Sequence, residues 1–132
     1  MSGKIAVVDG ANIAYIEMSQ KGDPKVSNIL AVRSALEEKG YETFVVADAS
    51  LIYEIDDPSQ LEVLIQNQTI RQVPAGTDAD YFVIQTAEEL NAIMISNDDY
   101  QPYLEEHPWL KKRRVPVLII RGRVELYEPE ME

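Results

Sequence analysis

The sequence has 132 residues, a length that favours one domain with a core of its own. Apolar residues make up 45% of the chain and charged residues 27%, which is typical of a soluble globular domain. There is no cysteine and one histidine, His107, so disulfide scaffolds, thiolate metal sites, cysteine nucleophiles and multi-histidine metal sites are excluded. No apolar run is long enough to cross a membrane and no secretory signal opens the chain, so we expect a cytoplasmic protein.

The charge is strongly negative but unevenly spread. The formal net charge is −11, from 23 acidic and 12 basic residues, which opposes binding to nucleic acid or to anionic membranes. Residues 111–123 nevertheless contain six basic residues and no acidic one, and removing these six charges leaves −17 on the rest. Such a basic stripe can hold phosphates. The alternative is a solvated basic helix end with scattered surface charge.

Strand and helix signals alternate along the chain. The predicted elements, in order, are a strand over 5–8, a helix opened by Asp23-Pro24 and stopped by Gly40, a strand over 43–47, a helix opened by Asp57-Pro58, a strand over 69–73, a helix over 77–89, a strand over 92–95, a helix from about Asp98 to Leu110, a buried strand over 115–120 and an edge piece over 123–127. The strands are continuously apolar, which predicts an α/β sandwich with a mostly parallel central sheet. We expect residues 1–127 to form this domain and residues 128–132 to be an acidic tail.

Acidic and amide side chains follow three of the predicted strands. They are Asp9, Asn12, Asp78, Asp80, Asp98 and Asp99. Because the carboxyl ends of parallel strands lie at one edge of a sheet, these groups should meet there. Crowded carboxylates repel one another unless a cation lies among them. Oxygen ligands without histidine or cysteine favour Mg²⁺ or Mn²⁺ over zinc.

Each aspartate also has a purely structural interpretation. Asp80 lies three residues after Thr77, and Asp99 lies three residues after Ser96. Both spacings match a capping box, so either carboxylate could simply begin a helix. Asp9 ends a buried strand where no helix start is evident, although an Asx-turn could explain it.

Three stretches resemble the motifs of one family, the PIN-like NYN ribonuclease domains, and especially their Regnase (MCPIP) type. Residues 7–14, VVDGANIA, resemble the first motif, and residues 80–84, DYFVI, resemble the middle acidic motif. Residues 95–114, which begin ISNDDY and continue through PWLKK, resemble the later motif. The motifs occur in family order across residues 5–120.

The resemblance implies a Mg²⁺-dependent or Mn²⁺-dependent endoribonuclease on a PIN-like three-layer α/β/α sandwich. The side chains that would line the metal site are Asp9, Asn12, Asp80 and Asp98. The metal and the carboxylates would activate a water to attack an RNA phosphodiester.

The chain departs from the family pattern at two positions. Ala79 and Pro102 stand where Regnase-type sequences often have aspartates, and the nearby Asp78 and Asp99 are the accessory acids that could compensate. No CCCH zinc finger is possible, because the chain has no cysteine.

The same hypothesis assigns substrate contacts. The side chains expected to bind RNA are Lys111, Lys112, Arg113, Arg114, Arg121 and Tyr100. Arg123, Arg71 and Lys21 could lie near the same edge, and Tyr15 and Tyr103 could stack on bases. The structural alternatives are a helix end complemented by cations and half-buried packing tyrosines.

Other functions stay open. One alternative is a non-catalytic RNA-binding or scaffold module of the same fold, which the Ala79 and Pro102 departures make plausible. Another is a metal-dependent phosphoesterase or DNA nuclease. A dinucleotide site and a P-loop are disfavoured, since no glycine-rich motif follows the first strand. We expect RNA as partner, no membrane, and a homodimer as a possibility that only the resemblance suggests.

Overall fold

A five-stranded parallel sheet forms the centre of the computed structural model, which describes residues 4–128. Its strands are β1 (Ile5–Asp9), β2 (Glu42–Ala47), β3 (Ile70–Gln72), β4 (Ile93–Ile95) and β5 (Arg114–Val115). They lie side by side in the order β3-β2-β1-β4-β5, and every pair is parallel. The predicted parallel sheet is confirmed. The chain order reverses between β1 and β4, where folds of this type leave a crevice for ligands.

Helices cover both faces of the sheet, which confirms the three-layer α/β/α architecture. The helices are α1 (Gly10–Ala14), α2 (Val26–Glu38), α3 (Pro58–Gln66), α4 (Ala79–Leu90) and α5 (Leu110–Arg113). Val8 points into the core beneath α1, α2 and α3, while the neighbouring Val7 points into the core beneath α4. This alternation is the pleat of a strand that is buried on both faces. Within residues 4–128, no helix is long and apolar enough to cross a lipid bilayer.

Of the two helices predicted to begin with an Asp-Pro pair, one is capped by that aspartate and the other is not. Asp57 caps α3 as predicted, since its Oδ1 accepts a hydrogen bond from the Gln60 N–H at 3.1 Å. Asp23 does not cap α2, which begins only at Val26. The cap comes from a residue distant in sequence, because Asp56 Oδ1 accepts from the Val26 N–H at 3.0 Å.

The helix predicted from Asp98 to Leu110 is wrong. The segment contains only a short 3₁₀ helix, Gln101–Tyr103, and turns, before α5 begins at Leu110. Pro102 and Pro108 each lack the N–H group that a continuous helix needs. In addition, Tyr100 has a left-handed φ of +52°, which breaks the helix at its first turn.

The single buried strand predicted over 115–120 is also wrong, because it divides at Pro116. β5 ends at Val115 in the central sheet, and β6 (Val117–Ile120) leaves it to pair antiparallel with β7 (Arg123–Leu126). The proline supplies no N–H to the ladder at the point of division. β6 alternates between buried and exposed residues, so only one face of this hairpin packs on the domain. The predicted edge piece is confirmed as β7.

Glu128, expected to open an acidic tail, is anchored to the domain. Its Oε2 accepts a hydrogen bond from the Tyr41 hydroxyl at 2.6 Å, and its Oε1 lies 3.1 Å from Lys39 Nζ. The remainder of the expected tail, residues 129–132, lies outside the described residues.

Asn28 ties α2 to the end of α1, and we expect its loss to destabilise the domain. It is buried, and its Nδ2 donates to the carbonyls of Ala14 and Glu17, both at 2.9 Å, and of Ile13 at 3.3 Å. Asn28→Ala removes the donor from three carbonyls, so the free energy of unfolding should fall by about 2 kcal/mol in urea denaturation. The neighbouring, exposed Ser27→Ala should change it by less than about 0.5 kcal/mol. Equal losses in the two variants would contradict this role.

Candidate active site

Asp9 lies at the centre of the site and connects three parts of the chain. It is the last residue of β1, and its Oδ2 accepts hydrogen bonds from Ser96 Oγ at 3.2 Å and from the Tyr100 hydroxyl. Its Oδ1 accepts from the Asn12 N–H at 3.4 Å, which makes Asp9 the N-cap of α1. A helix therefore does start at this point, contrary to the sequence analysis, although it has only five residues.

The surroundings of Asp9 act on its carboxylate in opposite directions. Burial raises the pKa of Asp9, and repulsion from the charge of Asp98 acts in the same direction. The hydrogen bonds from Tyr100, Asn12 and Ser96 favour the ionised form and lower it. Burial is the strongest of these effects, so the pKa of Asp9 lies above the ordinary value for an aspartate.

Asp80 faces the same place from the first turn of α4. Burial and the charges of Asp9, Asp98 and Asp78 together raise the pKa of Asp80 to about 6. Within the described part of the chain, no protein group donates a hydrogen bond to its carboxylate. The structure thus brings Asp9, Asp80 and Asp98 together at the crevice between β1 and β4, as the sequence analysis expects.

The two accessory acids have other partners. Asp78 is exposed and caps α4, because its Oδ1 accepts from the N–H groups of Asp80 at 3.0 Å and Tyr81 at 3.3 Å. The capping box expected from Thr77 is therefore wrong. The other oxygen of Asp78 accepts from the Tyr103 hydroxyl at 2.8 Å, and this bond is the main cause that lowers the pKa of Asp78.

Asp99 is exposed and begins no α-helix, so its expected capping box with Ser96 is wrong too. Its Oδ1 accepts instead from the Gln101 N–H at 3.2 Å, at the start of the 3₁₀ helix. The charges that raise the pKa of Asp80 do not include that of Asp99. Its neighbour Asp98 accepts from the Tyr100 N–H at 2.8 Å and does belong to the carboxylate group.

Three asparagine and serine side chains hold this edge of the sheet. Asn12 Oδ1 accepts from the Asn97 N–H at 2.8 Å, and the Asn97 side chain exchanges two hydrogen bonds, of 2.7 and 2.8 Å, with the backbone of Val117. Ser96 is fully buried, and its Oγ also accepts from the Asp98 N–H at 3.1 Å. Neither Ser96 nor Asn97 was among the site residues expected from the sequence, where Ser96 was considered only as a partner of Asp99 in a capping box. A buried serine at a strand end, directly before the acids, was the available signal.

The donor chemistry of the site fits a hard divalent cation. The facing groups are carboxylates, which repel one another without a cation, and Asp80 has a carboxylate with no hydrogen bond from the described chain. In residues 4–128, no three His, Asp or Glu side chains lie close enough together to form a complete metal site. A cation would therefore take at most two of these carboxylates as direct ligands and keep several waters, as Mg²⁺ commonly does.

Tyr100 does not lie where a substrate contact is expected. Its side chain is 1% exposed and packs in the core beneath α4, with its hydroxyl on Asp9. It offers no ring face to a base, and it positions a carboxylate instead. Arg114 likewise has a structural partner, since its Nη1 donates to the Ser96 carbonyl at 3.1 Å.

Within residues 4–128, no other residue of the basic stripe forms a hydrogen bond or ion pair with Asp9, Asp80 or Asp98. Arg113 bonds Asn91 Oδ1 at 2.8 Å and lies over the Trp109 ring at 4.1 Å. Asn91 follows α4 and precedes β4, so this contact is at the amino edge of the sheet, opposite Asp98. Lys111 and Lys112 are exposed on the same short helix. Arg121 is in the β6–β7 turn, where its N–H donates to Glu17 at 2.6 Å.

The crowding of the carboxylates predicts a pH-dependent cost to stability. The pKa of Asp80 rises on folding from 3.8 to about 6, so its favourable contribution is full below the lower value and is lost as pH rises through the higher one. Without metal, Asp80→Asn should therefore be more stable than the wild type at about pH 7.5, by on the order of 1 kcal/mol after solvent screening.

At about pH 3.5 the advantage of Asp80→Asn should largely disappear, because this pH is below both pKa values and Asp80 is then mostly protonated in the folded and the unfolded protein. Urea denaturation in EDTA at both pH values measures the difference, and Asp99→Asn is the control that should show no such dependence. A variant that is destabilised at the higher pH would show that the carboxylates are not crowded.

Comparison with solved structures finds the same fold in two structures of nuclear protein-only RNase P 2 from Arabidopsis thaliana. One has a TM-score of 0.76 and covers 97% of this chain, and the other has a TM-score of 0.73 and covers 96%. The sequence identity is 21% in both cases, and this chain spans 30% of the length of each. The likeness shows a shared fold.

Sequence comparison gives the family. No curated protein sequence matches this chain. The family described as Zc3h12a-like Ribonuclease NYN domain matches residues 2–120, which include every carboxylate of the site and end at the last residue of β6. The chain therefore belongs to the family of Zc3h12a-like ribonuclease NYN domains.

Proposed function

We propose that this domain is a Mg²⁺-dependent endoribonuclease that hydrolyses phosphodiester bonds of single-stranded RNA. Membership of a ribonuclease family supports an RNA nuclease in general. The observation that supports the finer proposal is the placement of Asp9, Asp80 and Asp98 at one edge of the sheet, where the charges of Asp9 and Asp98 add to burial in raising the pKa of Asp80 to about 6. Among residues 4–128 no ion pair neutralises Asp9, Asp80 or Asp98, and such carboxylates are a suitable environment for a divalent metal ion.

The proposed ligands differ in how firmly the protein holds them. Asp9 is fixed by its bonds with Asn12, Ser96 and Tyr100, so it would bind a metal in a preset orientation. Asp80 can adjust, since the described chain donates no hydrogen bond to it. Bound Mg²⁺ supplies activation of a water and charge stabilisation at the phosphate.

The remaining side chains act on the ligands. Asn12 holds the Asn97 backbone, and this contact keeps the segment that carries Asp98 against the end of β1. Tyr100 and Ser96 orient Asp9, as outer groups orient ligands in metal enzymes generally. A misplacement of these ligands would lower the rate even with the metal bound.

A pair of neighbouring variants tests the proposal. Wild-type protein should cleave a labelled single-stranded RNA in Mg²⁺ or Mn²⁺ and stop in EDTA. Asp98→Asn should lower the rate at least about a hundredfold, because it removes one of the converging carboxylates. Asp99→Asn should stay within about threefold of wild type, since Asp99 is exposed and does not act on the other acids.

A binding measurement separates this proposal from its alternatives. Mg²⁺ should raise the thermal midpoint of the wild type but not that of Asp98→Asn. Salt-sensitive RNA binding without cleavage would instead identify a non-catalytic module, and preferred cleavage of DNA or small phosphoesters a different phosphodiesterase. Cleavage that survives Asp98→Asn unchanged would overturn the assignment of the site.

A further inference from the structure

Tyr81 is an exposed aromatic residue directly beside the carboxylates. It follows Asp80 in the first turn of α4, and 48% of its surface is exposed. The buried residues of this helix are Val83, Ile84 and Ala87, so Tyr81 is outside the core stripe. Its backbone is fixed nevertheless, because its N–H donates to Asp78. A tyrosine side chain on a fixed backbone is thus open to solvent, one residue after Asp80.

A second tyrosine shares the same anchor. The Tyr103 hydroxyl donates to Asp78 at 2.8 Å, on the oxygen that does not cap α4. The hydrogen bond to Asp78 is the main cause that raises the pKa of Tyr103 to about 12, and the charges of Asp80 and Asp98 contribute. Asp78 therefore binds the backbone of Tyr81 and the side chain of Tyr103, which brings Tyr103 to the helix start that carries Tyr81 and Asp80.

This flank of α4 faces the segment that leads to the basic stripe. Tyr81 and Glu88 are seven residues apart, so they lie on the same side of the helix, about 10 Å from each other along its axis. Glu88 accepts a hydrogen bond from Trp109 Nε1 at 3.2 Å, and Arg113 lies over the Trp109 ring. Tyr81 and Trp109 therefore lie on the same flank of α4, and Trp109 directly precedes the short helix that carries the exposed Lys111.

The charge distribution favours stacking of bases over binding of phosphates as the attraction that holds RNA next to the acids. The chain has a net charge of −11, and Arg113 and Arg114, the stripe residues with side-chain partners, bond Asn91 and Ser96. Phosphates gain little from the protein itself in such a field. Bases do not depend on charge, because every base has a π-face that can stack on an aromatic ring.

We infer that the exposed ring of Tyr81 is a stacking site for one unpaired base of the RNA. The inference rests on the proposed function and adds the reason for a single-stranded substrate. Bases inside a duplex are stacked on each other and offer no free face, whereas an unpaired base can rest on the Tyr81 ring. The contact involves no base edge, so it tolerates any sequence.

Steady-state cleavage of a short single-stranded RNA tests this inference. Tyr81→Ala should raise KM about tenfold and leave kcat within about twofold, since stacking holds the substrate and not the reacting atoms. Tyr81→Phe should match the wild type, because the ring is retained. Tyr127→Ala is the matched control, since Tyr127 is 54% exposed and follows β7 in the separate antiparallel sheet, and its kinetics should be unchanged. Equal thermal midpoints would show that all three variants are folded.

An abasic scan locates the base. In wild-type protein, one abasic position in the RNA should raise KM about tenfold, and in Tyr81→Ala the same position should have no further effect. Unchanged KM in Tyr81→Ala, or an equal loss in Tyr81→Phe, would overturn the stacking site while leaving the nuclease intact. Wild-type protein that neither cleaves nor binds RNA would overturn both proposals.

Discussion

The hydrogen-bonded carboxylate of Asp9 is the interaction on which the site depends. Burying an ionised carboxylate is unfavourable unless donors surround it, and the donors here come from two separate segments. The Asn12 N–H fixes the start of α1, while Ser96 and Tyr100 fix the chain that leaves β4. Gly10 makes the arrangement possible, because a Cβ at this position would lie 2.9 Å from the Val46 carbonyl oxygen. The sharp turn from β1 into α1 therefore tolerates no side chain.

A chain of asparagine contacts extends this arrangement to the β6–β7 hairpin. Asn12 holds the backbone of Asn97, and the Asn97 side chain pairs with Val117 as a neighbouring strand residue would. These bonds satisfy the N–H and C=O groups of Val117 at the point where β6 turns away from the central sheet. The hairpin, the acids and α1 are consequently linked through a few polar side chains. A substitution in one of these elements should therefore change the positions of the other two.

Capping residues, prolines and apolar patterns predicted most of the helices and strands. These local signals failed where a contact with a residue distant in sequence determines the backbone conformation. Asp57 caps α3 with its own side chain, so the sequence was sufficient there. The start of α2 was misplaced because its cap, Asp56, is 30 residues away in sequence. The missing helix after Asp98 was predictable in part, since Pro102 and Pro108 weaken a helix, but the left-handed φ of Tyr100 follows from its bond to Asp9 and its burial.

The residues of the candidate site were likewise predicted in part from the sequence and in part only by the tertiary structure. The sequence by itself determined which oxygen ligands exist and that Asp9 and Asp98 end strands that meet at one edge, because buried parallel strands have a recognisable pattern. Asp80 was expected at the same edge, but only the tertiary structure shows how it reaches that edge. β3 is two strands away from β1, and Asp80 reaches the crevice because α4 crosses back over the sheet and packs on β1. Tertiary packing also separated Asp99 and Arg113 from the acids and buried Tyr100. Such choices depend on which surfaces pack together, and a linear pattern of residue types does not contain that information.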